Sequence, residues 1–396
     1  MRLRHIATLS LWVSLAAGCG AAPATESRNP PTLPPPPTVS AESALVPVTA
    51  DNIARISYQT RLTQPESETP ATLFDHALNR DGTRLVGIND ALMFAWDVVS
   101  GDLRFTTARL DVVRVFFSSD SAHIYGISAA GAVIRFDAND GAGVGQFSGI
   151  DGASGVTAYD PARGLLALGA LDGRVKVWDV AAGVALATVA AGDSAVTGLT
   201  FTPDGESVVA AVGSTLRRIA WRDRTITAER TIARAQALTQ VVSSPDGAWI
   251  GAATDFNVVL WSLTDPGRAL ALDSRVGGAS QLLTFSSDGR YLVAGSRAVG
   301  MTVWDIGGGE QMARLPLTSA SSIAGAFVPG APLLITTGLD LGVRAWDVAG
   351  IDGQTINQAV LDVGTTRIHS AAWTPDARRL LLFDAGGAVY VWGVAG

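Results

Sequence analysis

Residues 160–179 read DPARGLLALGALDGRVKVWD, and this stretch decides the fold. It begins with the turn residues Asp160 and Pro161, continues through a short apolar run, breaks at Asp172, and ends in a second β-prone run closed by Trp178. Proline presets φ, aspartate hydrogen-bonds nearby backbone and glycine accepts positive φ, so both breaks predict tight turns. Short apolar runs between turn signals predict β-strands, and no helical periodicity accompanies them.

The same pattern recurs along the chain at intervals of 40 to 46 residues. Seven of the ten tryptophans close the second β-prone run of a unit, and a phenylalanine does so in one further unit. We call these eight aromatic residues the anchors: Trp96, Phe136, Trp178, Trp221, Trp261, Trp304, Trp346 and Trp392. Turn residues precede each anchor, so each unit is predicted to contain four short antiparallel strands. Units of this length and strand content are typical of β-propeller blades.

Ser244-Pro245-Asp246-Gly247, an apolar run and an ending such as VKVWD form a pattern that resembles the WD40 family. The resemblance covers about residues 53–396 and is best in the units of Trp178, Trp261 and Trp304. It implies a β-propeller that serves as an interaction platform. The Gly-His pair of that family is absent, so the resemblance implies the fold and transfers no individual binding residues.

Eight anchors predict an all-β propeller of eight four-stranded antiparallel blades. Trp392 lies four residues before the end of the chain, which leaves no room for a fourth strand in the last blade. The β-like segment 53–62 near the N-terminus is predicted to supply that strand and close the ring, which removes exposed sheet edges. Seven blades with a divergent extra hairpin are the alternative.

The N-terminal 52 residues do not fit the repeat. Residues 1–18 combine Arg2 and Arg4 with an apolar core too short to span a bilayer, so they predict a signal peptide. The following Cys19 completes a sequence that resembles a bacterial lipobox, which implies lipid attachment at Cys19. Residues 19–52 carry eight of the eighteen prolines and predict an extended tether. The predicted location is the outer membrane or the cell surface.

Composition excludes several classes of function. Hydrophobic residues make up 47% of the chain, the formal net charge is −7 and Lys176 is the only lysine, so neither disorder nor nucleic-acid binding is expected. One cysteine allows no internal disulfide and no cysteine metal site. His76, His123 and His369 lie in different units without metal-ligand spacing, and no nucleophile or phosphate-loop motif occurs. We therefore expect no metal, no cofactor and no enzymatic activity.

Loops between the second and third strands of each blade are candidate binding loops, because WD40 relatives commonly bind on that face. They contain polar residues that form a candidate binding rim: Asn89, Asp90, Asp172, Asp255, Arg297, Asp340 and Asp384. The alternative is that the aspartates stabilise their own turns. The anchors are expected in the core between neighbouring sheets, since they end apolar strands at matching register.

These observations predict a membrane-tethered, monomeric scaffold outside the cytoplasm that binds one or more unidentified proteins without catalysis. A rigid ring that displays several loops lowers the ordering cost of association. One alternative is a scaffold for outer-membrane protein assembly, because an assembly lipoprotein of similar length is also an eight-bladed propeller. Another is an extracytoplasmic propeller enzyme of the quinoprotein or lyase type.

Overall fold

A computed structural model describes residues 45–65, 71–232, 237–254, 257–272, 282–296, 300–306, 310–315, 324–337, 342–350, 358–361 and 367–396. The described chain begins with strand β1 (Leu45–Val46), a 3-10 helix (Ile53–Arg55) and strand β2 (Ser57–Leu62). Val48, between β1 and the 3-10 helix, is 2% exposed. The folded body therefore extends to the N-terminal side of residue 53.

Each of the first four blades consists of four consecutive strands. Their bounds are β3 (Asp75–Leu78), β4 (Arg84–Ile88), β5 (Leu92–Asp97) and β6 (Leu103–Ala108) in blade one; β7 (Val112–Phe117), β8 (His123–Ser128), β9 (Val133–Asp137) and β10 (Gly143–Phe147) in blade two; β11 (Ala153–Asp160), β12 (Leu165–Ala170), β13 (Arg174–Asp179) and β14 (Val184–Ala190) in blade three; and β15 (Val196–Phe201), β16 (Ser207–Val212), β17 (Thr215–Ala220) and β18 (Thr225–Thr231) in blade four.

The next three blades have the same order, and the eighth contains three strands from the C-terminus. Their bounds are β19 (Leu238–Ser243), β20 (Trp249–Thr254), β21 (Val258–Ser262) and β22 (Ala269–Leu272) in blade five; β23 (Leu282–Phe285), β24 (Tyr291–Ser296), β25 (Gly300–Asp305) and β26 (Glu310–Leu315) in blade six; β27 (Ala324–Phe327), β28 (Leu333–Thr337), β29 (Val343–Asp347) and β30 (Gln358–Leu361) in blade seven; and β31 (Ile368–Trp373), β32 (Arg379–Asp384) and β33 (Val389–Ala395) in blade eight.

The strands form eight antiparallel sheets, so the ring has eight blades rather than seven with an extra hairpin. Second strands such as β12 and β16 are buried at every residue, because the neighbouring blades cover both faces of each sheet. Continuous apolar runs are what such doubly covered strands require. The fourth strand β14 is mostly exposed and alternates only near its end, as expected at the outer rim of the ring.

The N-terminal segment closes the ring, as the sequence predicted. Strand β2 pairs antiparallel with β33, with Tyr58 opposite Trp392 and Leu62 opposite Val389. The strand begins at Ser57 rather than at residue 53, because Ile53–Arg55 form a 3-10 turn whose Ile53 is buried beside blade eight. Blade eight therefore contains both ends of the described chain, which removes the open edge that β33 would otherwise present.

The hydrophobic core is divided into eight clusters, each formed by two neighbouring blades. The cluster between blades eight and one contains Leu62 of the closing strand, Trp96 of blade one and Phe383 of blade eight. Eight interfaces among eight blades complete a ring. Each blade buries apolar surface on both sides, which is the main stabilising contribution in such a fold.

Candidate functional site

The antiparallel strands of each blade run between two faces of the ring. The turn face carries the hairpin turns between first and second strands, such as Ser118–Ala122 in blade two and Thr374–Arg378 in blade eight. The loop face carries the loops between second and third strands, such as Asn89–Ala91 and Asp384–Ala388. First strands of neighbouring blades pack against each other at several blade junctions, for example β11 against β15 and β15 against β19, and they line the central channel.

The eight anchors are all buried, and none is more than 6% exposed. Each lies in the core cluster that its blade shares with the preceding blade, so the repeat encodes the contact between blades. Several indole N–H groups also donate hydrogen bonds, for example from Trp178 Nε1 to the carbonyl of Gly149 at 3.2 Å. The Nε1 atom of Trp392 is buried without a hydrogen-bond partner among the described residues.

Trp221 departs from the register of the other anchors. In blade four the residue opposite Val208 is Ile219, whereas in blade three the equivalent Leu166 faces Trp178. Trp221 lies two residues beyond that position and past the end of β17. Its Nε1 donates to the carbonyl of Gly205 at 2.9 Å, so the indole is 4% exposed but covers a turn instead of ending a strand.

Two residues of the candidate binding rim are buried and stabilise their own surroundings. Asn89 is 4% exposed, and its Oδ1 accepts the backbone N–H groups of Ala91 at 2.9 Å and Leu92 at 2.8 Å. Its Nδ2 donates to Oε1 of Gln64 at 3.2 Å. Gln64 also donates to the carbonyl of Gly387 at 3.1 Å, so Asn89 belongs to the seam between blades one and eight.

Asp384, the other buried member, is 6% exposed. Its Oδ1 accepts the backbone N–H of Ala388 at 2.7 Å, and its Oδ2 accepts the hydroxyl of Tyr390 at 3.2 Å. These bonds close the loop between the second and third strands of blade eight. Neither Asn89 nor Asp384 therefore presents a free polar group to a ligand, which is the turn-stabilising alternative that the sequence left open.

The remaining rim candidates fall into two groups. Asp90 and Asp172 are exposed on the loop face. Asp172 Oδ2 accepts from Arg174 Nε at 2.6 Å, and this hydrogen bond lowers the pKa of the Asp172 carboxyl. The other three candidates lie outside the described residues: Asp255, Arg297 and Asp340.

The fold brings together two histidines that are far apart in sequence. His76 lies in β3 and His369 in β31, the first strands of blades one and eight, and the His76 ring stacks on Phe383 with 3.7 Å between ring centroids. Burial, with the nearby His369 and Arg114, lowers the pKa of His76 to about 4. Burial also lowers the pKa of His369, and its Nε2 has no hydrogen-bond partner among the described residues.

Spacing along the chain does not predict that His76 and His369 lie near each other, because it does not show that a ring joins its first and last blades. His123 is separate and lies in β8. In the described part of the chain, no group of three or more His, Cys, Asp or Glu side chains is arranged to hold a metal ion.

A mostly apolar cavity of about 420 Å³ lies on the turn face, and we call it the mouth. Its wall comes from blades one, two, three and eight. The lining residues are Ala77, Leu78, Asn79, Arg80, Phe116, Phe117, Ser118, Ser119, Tyr159, Pro161, Ala162 and Pro375. Most of the lining is therefore apolar, with Arg80 as its charged member.

Two aromatic rings contribute to the mouth wall. Phe116 of β7 and Tyr159 of β11 have ring centroids 4.1 Å apart. The Tyr159 hydroxyl is buried without a hydrogen-bond partner among the described residues, and burial raises the pKa of Tyr159. Ser118 is buried beneath and donates to Asp120 Oδ1 at 2.5 Å, so its hydroxyl is engaged in the turn. The surface left for a ligand is therefore mainly apolar and aromatic, with Arg80 as its charged group.

The mouth is not evident from the repeat, although the sequence contains one signal for it. Phe116 lies opposite Tyr125 in the pairing of first and second strands. The residues at the same register in the other blades are small or β-branched: Ala77, Ala158, Thr200, Val242, Thr284, Ala326 and Ala372. An aromatic side chain at this one position marks a local feature that the repeat does not require.

Cys19 and the predicted signal peptide lie outside the described residues. Within the described ranges, no helix has the length and apolar character required to cross a lipid bilayer.

Comparisons with known proteins agree with the eight-bladed architecture. No family model matches the chain. Over 192 residues it is 29% identical to Transducin beta-like protein 3 of Bos taurus, a match that covers 47% of this chain and 24% of that protein. The chain therefore spans about a quarter of the length of this curated relative.

A similar solved structure is that of the computationally designed Ika8 protein. The TM-score is 0.63 at 19% sequence identity, and the match covers 82% of this chain and 97% of the designed chain. At that identity the likeness concerns the fold alone. The eight blades and the similarity to Transducin beta-like protein 3 together support a propeller of the WD40 type.

Proposed function

We propose that this protein is a membrane-anchored scaffold outside the cytoplasm, which binds segments of partner proteins without catalysing a reaction. The observation that carries the proposal is the mouth, an apolar cavity of about 420 Å³ built by four blades of one ring. A concave apolar site with few polar groups is typical of ligand pockets. Because the blades hold it in place, binding requires little ordering of the protein.

The chemistry of the mouth favours an apolar peptide segment as its ligand. Phe116 and Tyr159 offer an aromatic surface, and Pro161 and Pro375 extend it without adding hydrogen-bond donors. Burial of one Leu-sized or Phe-sized side chain contributes about 1.5–3 kcal/mol. Such a contact gives useful affinity when neighbouring loops of the turn face bind the same partner.

Membrane anchoring rests on the N-terminal sequence. Arg2, Arg4 and the short apolar core precede Cys19 in an arrangement typical of bacterial lipoproteins. Dual acylation gives stable membrane attachment, whereas a single chain gives only marginal binding. The Cys19→Ser variant should therefore move from the membrane pellet to the soluble fraction after cell lysis. Unchanged fractionation would contradict anchoring through a lipid.

Site-specific photocrosslinking in cells tests the scaffold directly. The photoreactive residue p-benzoyl-L-phenylalanine replaces Ser119 on the mouth wall in one variant and the exposed Thr225 on the outer strand β18 in a matched control. We expect discrete protein adducts from position 119 that are absent from position 225. The scaffold proposal fails if position 119 yields no protein adduct and the purified protein acquires a bound chromophore when pyrroloquinoline quinone and calcium are added.

A second pair of variants tests whether the mouth itself binds the partner. Phe116→Thr introduces the residue found at the same register in blades four and six. The control, Thr200→Ala, changes that register position in blade four, outside the mouth. Loss of one aromatic contact worth about 1.4 kcal/mol lowers affinity tenfold. We expect this loss for Phe116→Thr, and equal affinities of the two variants would place the partner elsewhere.

A further inference from the structure

We propose that the mouth is occupied, in the absence of a partner, by the proline-rich segment 30–37 of the same chain, which reads PPTLPPPP. This inference rests on the proposed function, because it adds regulation to the same binding site. Three observations carry it: the place where the N-terminal segment joins the ring, the reach of the intervening residues, and the chemistry of the mouth.

The described chain begins on the turn face beside the mouth. Leu45 pairs with Ala395, the last residue of β33. Three residues further on, the backbone N–H of Val48 donates to the carbonyl of Ala377 at 2.9 Å. Ala377 belongs to the same hairpin turn as Pro375, which forms part of the mouth wall. The segment that precedes Leu45 is thus attached at the blade eight side of the cavity.

The residues between segment 30–37 and Leu45 form a linker of considerable length. Eight residue steps separate Pro37 from Leu45. An extended polyproline-type chain rises about 3.1 Å per residue, so these steps span about 25 Å. The linker starts at blade eight, which contributes Pro375 to the mouth wall. Segment 30–37 can therefore lie across Phe116 and Tyr159 while Leu45 stays paired with β33.

The chemistry of segment 30–37 matches the mouth. It contains six prolines, one leucine and one threonine, and no charged residue. Proline-rich segments bind aromatic-lined grooves, because their extended conformation is preformed and loses little entropy on docking. Phe116 and Tyr159 provide such a lining. Asn79 Oδ1 accepts the backbone N–H of Arg84 at 2.9 Å, so this polar group of the wall is already engaged.

Attachment to the ring makes the segment a strong competitor. A ligand joined by a short linker has an effective concentration in the millimolar range. A partner must displace segment 30–37 before it reaches Phe116, so the segment lowers the apparent affinity of the mouth. Replacement of the prolines in segment 30–37 should then raise the affinity of the mouth for a partner without any change in the ring.

Intramolecular crosslinking of the purified full-length chain tests this inference. Photoreactive p-benzoyl-L-phenylalanine at position 119 should link to a peptide that contains residues 30–37, as identified by mass spectrometry after digestion. The same residue at position 225 should give no such link. The quadruple variant P34S/P35S/P36S/P37S should reduce the link from position 119 to the level of that control.

Isotope labelling distinguishes the possible occupants. In a mixture of ¹⁴N-labelled and ¹⁵N-labelled protein, links within one chain carry a single label, whereas links between copies carry both. Single-label links support the inference, while mixed-label links or the absence of links to residues 30–37 would overturn it. Because no partner is present, failure here leaves the partner adducts in cells unaffected, and the two proposals fail separately.

Discussion

Trp96 shows at the level of one residue how the repeat becomes a ring. Its side chain is fully buried, its ring lies 5.4 Å from that of Phe94, and its Nε1 donates to the carbonyl of Thr63 at 3.0 Å. Thr63 directly follows the closing strand β2. One indole therefore fills the core between blades eight and one and also binds the segment that closes the ring.

Replacement of Trp96 should be strongly destabilising. Trp96→Ala leaves a cavity at the seam and an unpaired Thr63 carbonyl, and substitutions of this kind reduce the free energy of unfolding by about 3–5 kcal/mol. Val99→Ala is a control in the same blade, since Val99 is 55% exposed and should change stability by less than about 0.5 kcal/mol. Equilibrium urea unfolding measures both, and equal midpoints would contradict the assigned packing.

His76 predicts a pH dependence of stability. Its pKa is lowered from 6.5 to about 4 in the folded ring, so the unfolded chain binds the proton more readily. Stability contributed by neutral His76 is fully present above pH 6.5 and is lost as the pH falls towards 4. Because the His76 residue keeps some exposure to solvent, we expect the free energy of unfolding to fall by about 2 kcal/mol.

The His76→Phe variant tests this dependence. Phenylalanine keeps the stacking on Phe383 and cannot take up a proton, so the difference between parent and variant isolates His76 from Asp75, Arg114 and His369 nearby. Thermal unfolding between pH 7.5 and pH 4 should show a steeper fall in Tm for the parent. Parallel curves for the two proteins would show that His76 is protonated equally in both states.

The sequence predicted which residues are buried better than it predicted their register within the strands. The anchors are apolar and repeated, and all are buried, but Trp221 lies two residues past the register position that Ile219 occupies. Spacing cannot distinguish these residues, because both are apolar and β-prone. The sequence also did not predict that His76 lies near His369, because these residues come close only when the ring is closed.

At the level of elements, strand β2 combines two opposite environments. Leu62 is fully buried in the core between blades eight and one. The preceding Arg61 is exposed and lies with its guanidinium 5.5 Å from the ring of Tyr390. Successive side chains of a strand point to opposite faces, so these neighbours have different roles in one element.

This alternation provides a matched pair of variants. Leu62→Asp places a charge in an apolar core, which costs several kcal/mol, and should abolish or greatly weaken folding. Arg61→Asp also introduces an aspartate into β2 but leaves it exposed, and should reduce stability by about 1 kcal/mol or less. Soluble yield and urea midpoints measure the difference. Equal effects of both changes would contradict the orientation of β2.

Strands and turns were largely predictable from the sequence, because apolar runs and turn residues are local signals. The hairpin turn of blade five shows why: the Ser244 hydroxyl donates to Asp246 Oδ1 at 2.5 Å, and Gly247 has φ of +72°. Irregular features were not predictable. The 3-10 turn Ile53–Arg55 and the bulge between Val112 and Arg114 depend on packing against neighbouring segments.

At the level of the whole molecule, the core belongs to the interfaces rather than to the blades. Each of the eight clusters joins two neighbouring blades, and the cluster between blades eight and one depends on β2 as well. A blade that lost one neighbour would expose one face of its sheet. Interfaces of this kind couple repeat units, so we expect the ring to unfold cooperatively.

The blade number and the closing strand followed from the sequence, because the anchors count the units and segment 53–62 is an additional β-like stretch. The mouth did not follow from it. Its wall joins Pro375 of blade eight to Phe116 and Tyr159 of blades two and three, and only the curvature of the closed ring brings them together. Phe116 departs from the repeat in one blade, but the pattern within a repeat does not show which other blades meet there.

Removal of the closing strand tests the central claim most directly. Urea unfolding of the full-length chain, followed by tryptophan fluorescence, should show a single steep transition, because closure couples all eight blades. Deletion of residues 53–62 removes β2 and exposes the edge of β33. The shortened chain should lose the single transition and unfold at much lower urea concentration. A shortened chain with the parental midpoint and slope would contradict a ring closed by its own N-terminal segment.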